Sequence, residues 1–265
     1  MTISNLIKHP YTEDLNKEEL IYREKIQPQE YSFDDVAKSV ERLADGRMNL
    51  LPLLFKTVDF RGEMLELGAG SCWFGSVLSR LQSVDKIYCL DMSERILCDV
   101  APHIMAHLEA DGDKLIRVVG DFHKLYFEDG QFDHVVFDAS LHHIPELNWN
   151  KVLGEVYRVL KPAGRVVAIR EPFLSPIPTI RSWQRRTQGA HERRLGVTEN
   201  LYTRREWDSK FRSVGFRSHF VAYVPLQPSK SVTAKEILKQ AVKNSALRKL
   251  YSLLKPAYII ILDKA

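Results

Sequence analysis

The run from Met64 to Gly75, MLELGAGSCWFG, constrains this chain more than any other stretch. An apolar strand reaches an acidic residue, Glu66, breaks into Gly68-Ala69-Gly70, and gives way to a helix. Glycines in such a turn accept left-handed backbone angles and let main-chain amides come close to a ligand. Strand, glycine turn and helix in this order open an α/β unit of the nucleotide-binding kind. Two details argue against a dinucleotide. Its fingerprint places a third glycine three residues after the second, where this chain has Trp73, and Gly75 comes later. The next strand, Lys86 to Leu90, ends at Asp91, at the spacing of a carboxylate that takes both hydroxyls of a ribose.

Beyond this opening, short apolar runs alternate with amphipathic ones. The pattern predicts strands at 64–67, 86–90, 115–119, 134–137 and 165–170, with helices at 72–81, 93–109 and 148–160. Such alternation specifies an α/β fold, a doubly wound and mostly parallel sheet. A chain of 265 residues, 45% hydrophobic and 27% charged, buries one good core rather than two large ones. A formal charge of +4 is compatible with an anionic substrate and far from that of a dedicated nucleic-acid binder. Three cysteines, Cys72, Cys89 and Cys98, show no CxxC spacing, so the sequence assigns neither a disulfide framework nor a metal site. No basic-then-apolar leader opens the chain and no apolar run is long enough for a membrane span, so the expected compartment is the cytoplasm.

Two later segments complete the pattern. Gly120-Asp121-Phe122 follows the third strand, a polar and aromatic cluster suited to an adenine. FDHVVFDASLHHI, Phe132 to Ile144, and EVYRVLKPAGRVVAIREP, Glu155 to Pro172, then supply two strands joined by a helix. Over Met64 to Pro172, with every motif in order, the chain resembles the class I S-adenosylmethionine-dependent methyltransferases. The resemblance implies a Rossmann-like seven-stranded sheet of order 3-2-1-4-5-7-6, with strand seven antiparallel, and S-adenosyl-L-methionine as cofactor. Glu66, Gly68, Ala69 and Gly70 match the motif that holds the methionine part. Asp91, followed by Met92, matches the ribose acid. Gly120, Asp121 and Phe122 match the adenine contacts. Asp138 and Ala139 match positions beside the methionyl group and the sulfonium. The family's Gly-Gly before strand five is Ala163-Gly164 here.

The parts outside this core shape the expected chemistry. Residues 1–60 read as a helical preface, with Ser32 and Asp35 as a capping pair and Tyr22, Tyr31 and Arg47 as the residues to watch; it lies over the cofactor or merely covers a sheet edge. The catalytic domain is expected over 61–265, with an acceptor-side segment at about 172–214 and a helical insertion at about 231–254. Arg181 to Arg212 holds nine basic residues against four acids, either an anion site near the pocket mouth or a solvated face of ion pairs. Thr203 and Glu206 form a capping box, with Trp207, Phe211 and Val214 as the apolar face of the helix it starts.

An S-adenosylmethionine enzyme needs a base only if its acceptor must lose a proton. Candidates are His143, Glu171 and His191. His143 sits in a setting that resembles a histidine frequent in the family, with a purely structural role as the alternative; Glu171 either binds the acceptor or caps its loop. Glu199, Asn200 and Tyr202 either line the acceptor pocket or stabilise the loop. The expected activity is methyl transfer to a hydroxyl oxygen of a small polar metabolite, such as a sugar or an anionic precursor. The alternatives are N- or C-methylation and a catalytically silent cofactor-binding module. RNA binding through the arginine stretch ranks last, for no RNA motif accompanies it. Oligomeric state is not encoded in any pattern here.

Overall fold

The computed structural model describes residues 5–10, 17–21, 36–44, 47–224 and 245–264. Tyr22, Tyr31, the Ser32–Asp35 capping pair and the first part of the expected insertion, 231–244, lie outside them. Eight strands form one sheet: β1 (Leu6–Lys8), β2 (Gly62–Leu67), β3 (Val84–Asp91), β4 (Leu115–Val119), β5 (Phe132–Asp138), β6 (Leu160–Ile169), β7 (Phe216–Ala222) and β8 (Tyr258–Lys264). Their order is β1-β4-β3-β2-β5-β6-β8-β7. Neighbours from β1 to β6 are parallel, and β8 runs antiparallel to both β6 and β7.

The sheet therefore has one strand more than the seven expected. Leu6–Lys8, inside the segment read as a helical preface, adds in parallel beside Arg117–Val119 of β4. Three residues are too few for any period to show, and a strand this short exists only through its neighbour. The rest of the preface is helical where it is described: α1 (Lys17–Ile21), α2 (Val36–Ala44) and α3 (Leu51–Thr57).

The central helices follow the expected positions, with one exception. α4 (Trp73–Ser79) follows β2 and α6 (Trp149–Val159) follows β5. The helix expected over 93–109 divides into a π-helical turn, Ile96–Val100, and α5 (Ala101–His107). Pro102 sits in the first turn of α5, and its missing N–H interrupts the regular ladder at that point. On the acceptor side, α7 (Pro178–Thr187), α8 (Ala190–Arg194) and α9 (Arg204–Arg212) follow β6, and α10 (Ser245–Leu254) precedes β8. The capping box of α9 forms as its sequence specifies, with Thr203 and Glu206 each accepting from the other's backbone amide. No helix among the described residues is long and apolar enough to cross a membrane.

Alternation along the strands sorts the core into two layers. Met64, Ile87, Val136, Val167 and Ile259 face α3, α4 and α5, where Leu54, Phe74 and Ile104 meet them. Leu65, Val135, Val166 and Ile260 face the other way, towards α6 and α9, with Leu153, Val156, Trp207 and Phe211. Burial on both faces explains why the central strands read as continuous apolar runs. The turn before the main part of β6 needs its glycine. A Cβ on Gly164 would stand 3.0 Å from the Phe132 carbonyl, whereas Ala163 is exposed and tolerates its methyl.

Candidate active site

In an open parallel sheet, ligands bind beyond the carboxyl ends of the strands. Here those ends carry Leu67, Asp91, Val119, Asp138 and Ile169, and the residues that the sequence assigns to the cofactor, from Glu66 to Ala139, lie on these strand ends or in the loops that directly follow them.

The glycine turn is held open by its neighbours. Gly68 and Gly70 have φ of +73° and +52°. A Cβ on Gly68 would lie 2.5 Å from the Cβ of Ser140, so the turn and the loop after β5 touch there with no room for a side chain. Gly68 and Ala69 donate to the Leu90 carbonyl at 2.9 and 3.0 Å, and Gly70 donates to Asp91 Oδ2 at 2.8 Å. Asp91 Oδ1 accepts from Ser93 N at 2.9 Å. Two backbone amides thus fix the Asp91 carboxylate at the end of β3.

Glu66 is fully enclosed. Its Oε2 accepts from Gly75 N at 2.9 Å, and Cys89 Sγ lies 3.5 Å away. Burial, followed by the nearby negative charge of Asp138, pushes this carboxyl up to about 8, against the opposing pull of Cys89, Arg47 and the Gly75 amide. Gly75 is what lets α4 pass so close, since a Cβ there would meet Cys89 Sγ at 2.3 Å and Glu66 Oε2 at 2.8 Å.

The adenine-side residues cluster after β4. Gly120 donates to the Asp91 carbonyl at 3.0 Å and packs against His9, just beyond β1. Asp121 Oδ1 accepts from His123 N at 2.7 Å and approaches His123 Nδ1 at 3.1 Å. Phe122 and Met92 are half-buried beside them. Two buried ring nitrogens on this cofactor side, Trp73 Nε1 and His123 Nε2, have no hydrogen-bond partner among the described residues, as expected where a polar ligand belongs. With two fixed carboxylates and a glycine turn, these residues fit S-adenosylmethionine.

Asp138 is clamped between two arginines. Arg47 Nε and Arg170 Nε each lie 2.5 Å from its carboxylate, on different oxygens. Burial alone would raise Asp138, but the two guanidinium groups outweigh it and hold the carboxyl below its ordinary value. Arg47 comes from the turn before α3 and also lies 5.1 Å from the Trp73 ring centre, so the preface reaches the site through this residue. Ala139 and Arg170, directly after β5 and β6, have φ of +54° and +58°, backbone strain of the kind that concentrates at functional sites.

The acceptor side is organised by one carboxylate. Glu171 Oε1 accepts from Ser140 N and Leu141 N, at 3.1 and 3.0 Å, and Oε2 from His142 N at 3.1 Å and His142 Nδ1 at 2.6 Å. Glu171 is thereby committed to holding the turn at 140–142. His143 Nδ1 donates to the Thr198 carbonyl at 2.7 Å, which leaves the lone pair of the neutral ring on Nε2. Asn200 pins the same strap to the turn, its amide donating to the His142 carbonyl at 3.1 Å and its Nδ2 to the Ile144 carbonyl at 2.6 Å. Glu199 lies between them, 3.7 Å from His142 Nε2 and 3.7 Å from His143 Nδ1. Tyr202 is buried and hydrogen-bonds Glu146. His191 is exposed on α8 and outside the His142, His143 and Glu199 group.

The sequence singles out His143 and leaves Glu199 open, with no separate role for His142. No spacing signal joins residues 142, 143 and 199; the juxtaposition exists only once the strap is folded back. The arginine segment divides as well. Arg193 and Arg194 bond local carbonyls, and Arg185 pairs with Glu206 at 2.9 Å. Arg181, Arg204, Arg205 and Arg212 instead line a cavity of about 630 Å³ with Phe220 and Tyr258.

Comparisons with known proteins converge on one family. Residues 65–168 match the family model described as a methyltransferase domain. A curated relative, the demethylmenaquinone methyltransferase of Leptospira interrogans, is 31% identical over 144 residues, covering 50% of this chain and 56% of that one. The chain thus spans about half the length of the curated relative it matches. Among solved structures, a chain from a complex of the Haloferax volcanii Trm112 methyltransferase activator and a putative methyltransferase aligns with a TM-score of 0.63 at 15% identity. That alignment covers 86% of this chain and 94% of the other. Geranyl diphosphate C-methyltransferase from Streptomyces coelicolor, solved with S-adenosyl-L-homocysteine, aligns with a TM-score of 0.54 at 15% identity, covering 82% and 76%. At these identities the structural likeness speaks for the fold.

Proposed function

We propose that the protein, whose residues 65–168 match the family model of a methyltransferase domain, is an S-adenosylmethionine-dependent methyltransferase that methylates an oxygen of a small polar acceptor. The observation that carries this reading is the group formed by His142, His143 and Glu199 beside the clamped Asp138, a set of proton- and cation-handling side chains at the end of the sheet where the methyl group is expected. S-adenosylmethionine supplies an already activated methyl group, so the protein's share is alignment, exclusion of water and handling of the acceptor's proton.

The contacts support the following roles. Asp91, held at the end of β3 by two backbone amides, takes the ribose hydroxyls, and Asp121 with Phe122 receives the adenine. Glu66 and Asp138 border the methionyl part, with Arg47 and Arg170 balancing Asp138. Glu171 is a positioning residue that fixes the turn bearing both histidines. His143, with Nδ1 engaged by the Thr198 carbonyl, stands in that turn on the acceptor side. Similarity to demethylmenaquinone methyltransferases supports a second reading, in which the acceptor is a demethylmenaquinone-like ring.

Calorimetric titration with S-adenosylmethionine and, separately, with NAD tests the cofactor. Binding of the former alone is expected, and binding of neither would overturn the reading. Product analysis with hydroxylated acceptors and with demethylmenaquinone then separates the two acceptor classes. For His143→Ala, turnover is expected to fall by about 100- to 10,000-fold with cofactor affinity unchanged.

A further inference from the structure

We propose that His142, His143 and Glu199 bind a divalent transition-metal ion of the zinc type, and that this ion holds the acceptor oxygen. The inference rests on the oxygen-methylation reading and says how that oxygen is activated.

Four observations support it. One ligating atom from each residue lies within 4.8 Å of the others, the single such group of His, Cys, Asp or Glu found among the described residues. Two imidazoles and one carboxylate form a donor set suited to zinc with a coordination position left open for substrate.

The spacing suits a shared ion better than direct bonding. His142 Nε2 and Glu199 Oε2 are 3.7 Å apart, beyond hydrogen-bond length. Two ligands held about 2.0–2.2 Å from one zinc ion at a tetrahedral angle stand about 3.3–3.5 Å apart, so a shift of a few tenths of an ångström would bring this pair to ligand spacing, and side-chain rotation of His143 would complete the set.

The outer contacts also have the form found around metal-ligating histidines. Such a histidine donates its other ring N–H to a carboxylate or a carbonyl, which fixes the tautomer and aims the ligating nitrogen. Here His142 Nδ1 is 2.6 Å from Glu171 Oε2, and His143 Nδ1 is 2.7 Å from the Thr198 carbonyl. Both supports are in place in the same turn.

Finally, the third ligand is delivered by a built strap. Asn200 fastens residues 198–200 to the histidine turn with two hydrogen bonds. Gly189, at φ +59°, leaves room for Glu199, whose Cβ, Cγ and Oε2 all lie 3.0 Å from where a Cβ on Gly189 would stand. The side chains are largely enclosed, at 9% exposure for His142, 16% for His143 and 13% for Glu199.

With the ion present, the histidine lone pairs hold metal and the acceptor's proton leaves to water. The O–H bond breaks, its electron pair stays on the acceptor oxygen, and the positive ion lowers the cost of that charge.

The test is calorimetric titration of EDTA-treated, full-length protein with Zn²⁺, run beside titration of the same sample with S-adenosylmethionine. One ion per chain is expected, with at least 100-fold weaker binding in Glu199→Gln and in His143→Ala. The visible absorption of Co²⁺ added to the unmutated protein gives a readout independent of how the variants fold; a nitrogen and oxygen ligand spectrum of low coordination number is expected. S-adenosylmethionine binding without zinc binding would overturn the metal site and leave the methyltransferase reading standing. Zinc binding that both variants retain would place the ion elsewhere and overturn it equally. Loss of S-adenosylmethionine binding in the untreated protein would instead count against the function on which the inference rests.

Discussion

The two halves of the site are made in opposite ways. On the cofactor side, the carboxylates of Glu66, Asp91 and Asp121 are each held by backbone amides of the turns, loops and helix that directly follow the central strands, from Gly70, Gly75, Ser93 and His123. On the acceptor side, the residues that matter come from segments far apart in the chain and meet through side chains, with Glu171 reaching back 31 residues to Ser140 and His143 reaching forward 55 to Thr198. The first half is a property of the scaffold and the second of what is laid across it. A fold of this kind can keep its cofactor and change its acceptor by rebuilding one strap.

That contrast has measurable consequences. The largest effect is expected at Trp207, fully buried under α9 and packed against Trp149, Tyr202, Phe173 and Phe211. Trp207→Ala should cost about 3–5 kcal/mol of stability in urea unfolding, with cofactor affinity in the folded fraction retained. A parallel loss of affinity would break the separation of the halves. Next comes Asp91→Ala, which should weaken S-adenosylmethionine binding by about 2–3 kcal/mol, a factor of about 30–150 by calorimetry. Unchanged affinity would remove the ribose assignment.

An effect that is smaller per pH unit should appear in the pH dependence of stability. Glu66 is raised to about 8 in the folded protein from 4.5 as its ordinary value. Its stabilising proton is fully present below about pH 4.5, and stability falls as pH rises towards 8, by up to about 1.4 kcal/mol per unit. Glu66→Gln should flatten that slope, and an unaltered profile would show that another group sets it. The smallest effect is expected at Arg185, whose ion pair with Glu206 is half exposed on both sides. Arg185→Ala should change stability by less than about 0.5 kcal/mol, sharpening the distinction between this arginine and the four that line the cavity.

The same contrast governs what the sequence discloses. The strand, turn and helix at 64–79 obey local rules of period and glycine placement, so their positions could be read from the residues, as could the capping box at Thr203 and Glu206. The partners of those residues could be read only in part. Asp91 was placed by its spacing, whereas the Arg47 and Arg170 clamp on Asp138 left no trace, since three residues on three separate segments share no period. Glu171 was visible as a carboxylate after a strand, yet its engagement with three amides and one imidazole depends on how the turn at 140–142 folds. The π-helical turn before Pro102 and the three-residue strand β1 are tertiary outcomes that intrinsic propensity does not encode.

That short strand bears on how the molecule reaches its native state. β1 pairs with β4 at residues 111 positions apart, Leu6 with Arg117, and the His9 amide adds a bond to the Val119 carbonyl. A parallel contact over so long a stretch costs closure entropy before it returns any stabilisation, so it belongs among the late events of folding. Until it forms, β4 is an open sheet edge, with a row of backbone donors and acceptors able to recruit a strand from another molecule. Leu6–Lys8 therefore serve as a seal against self-association during folding, and substituting proline at Ile7 should raise aggregation of the folding protein more than it lowers the stability of the finished one.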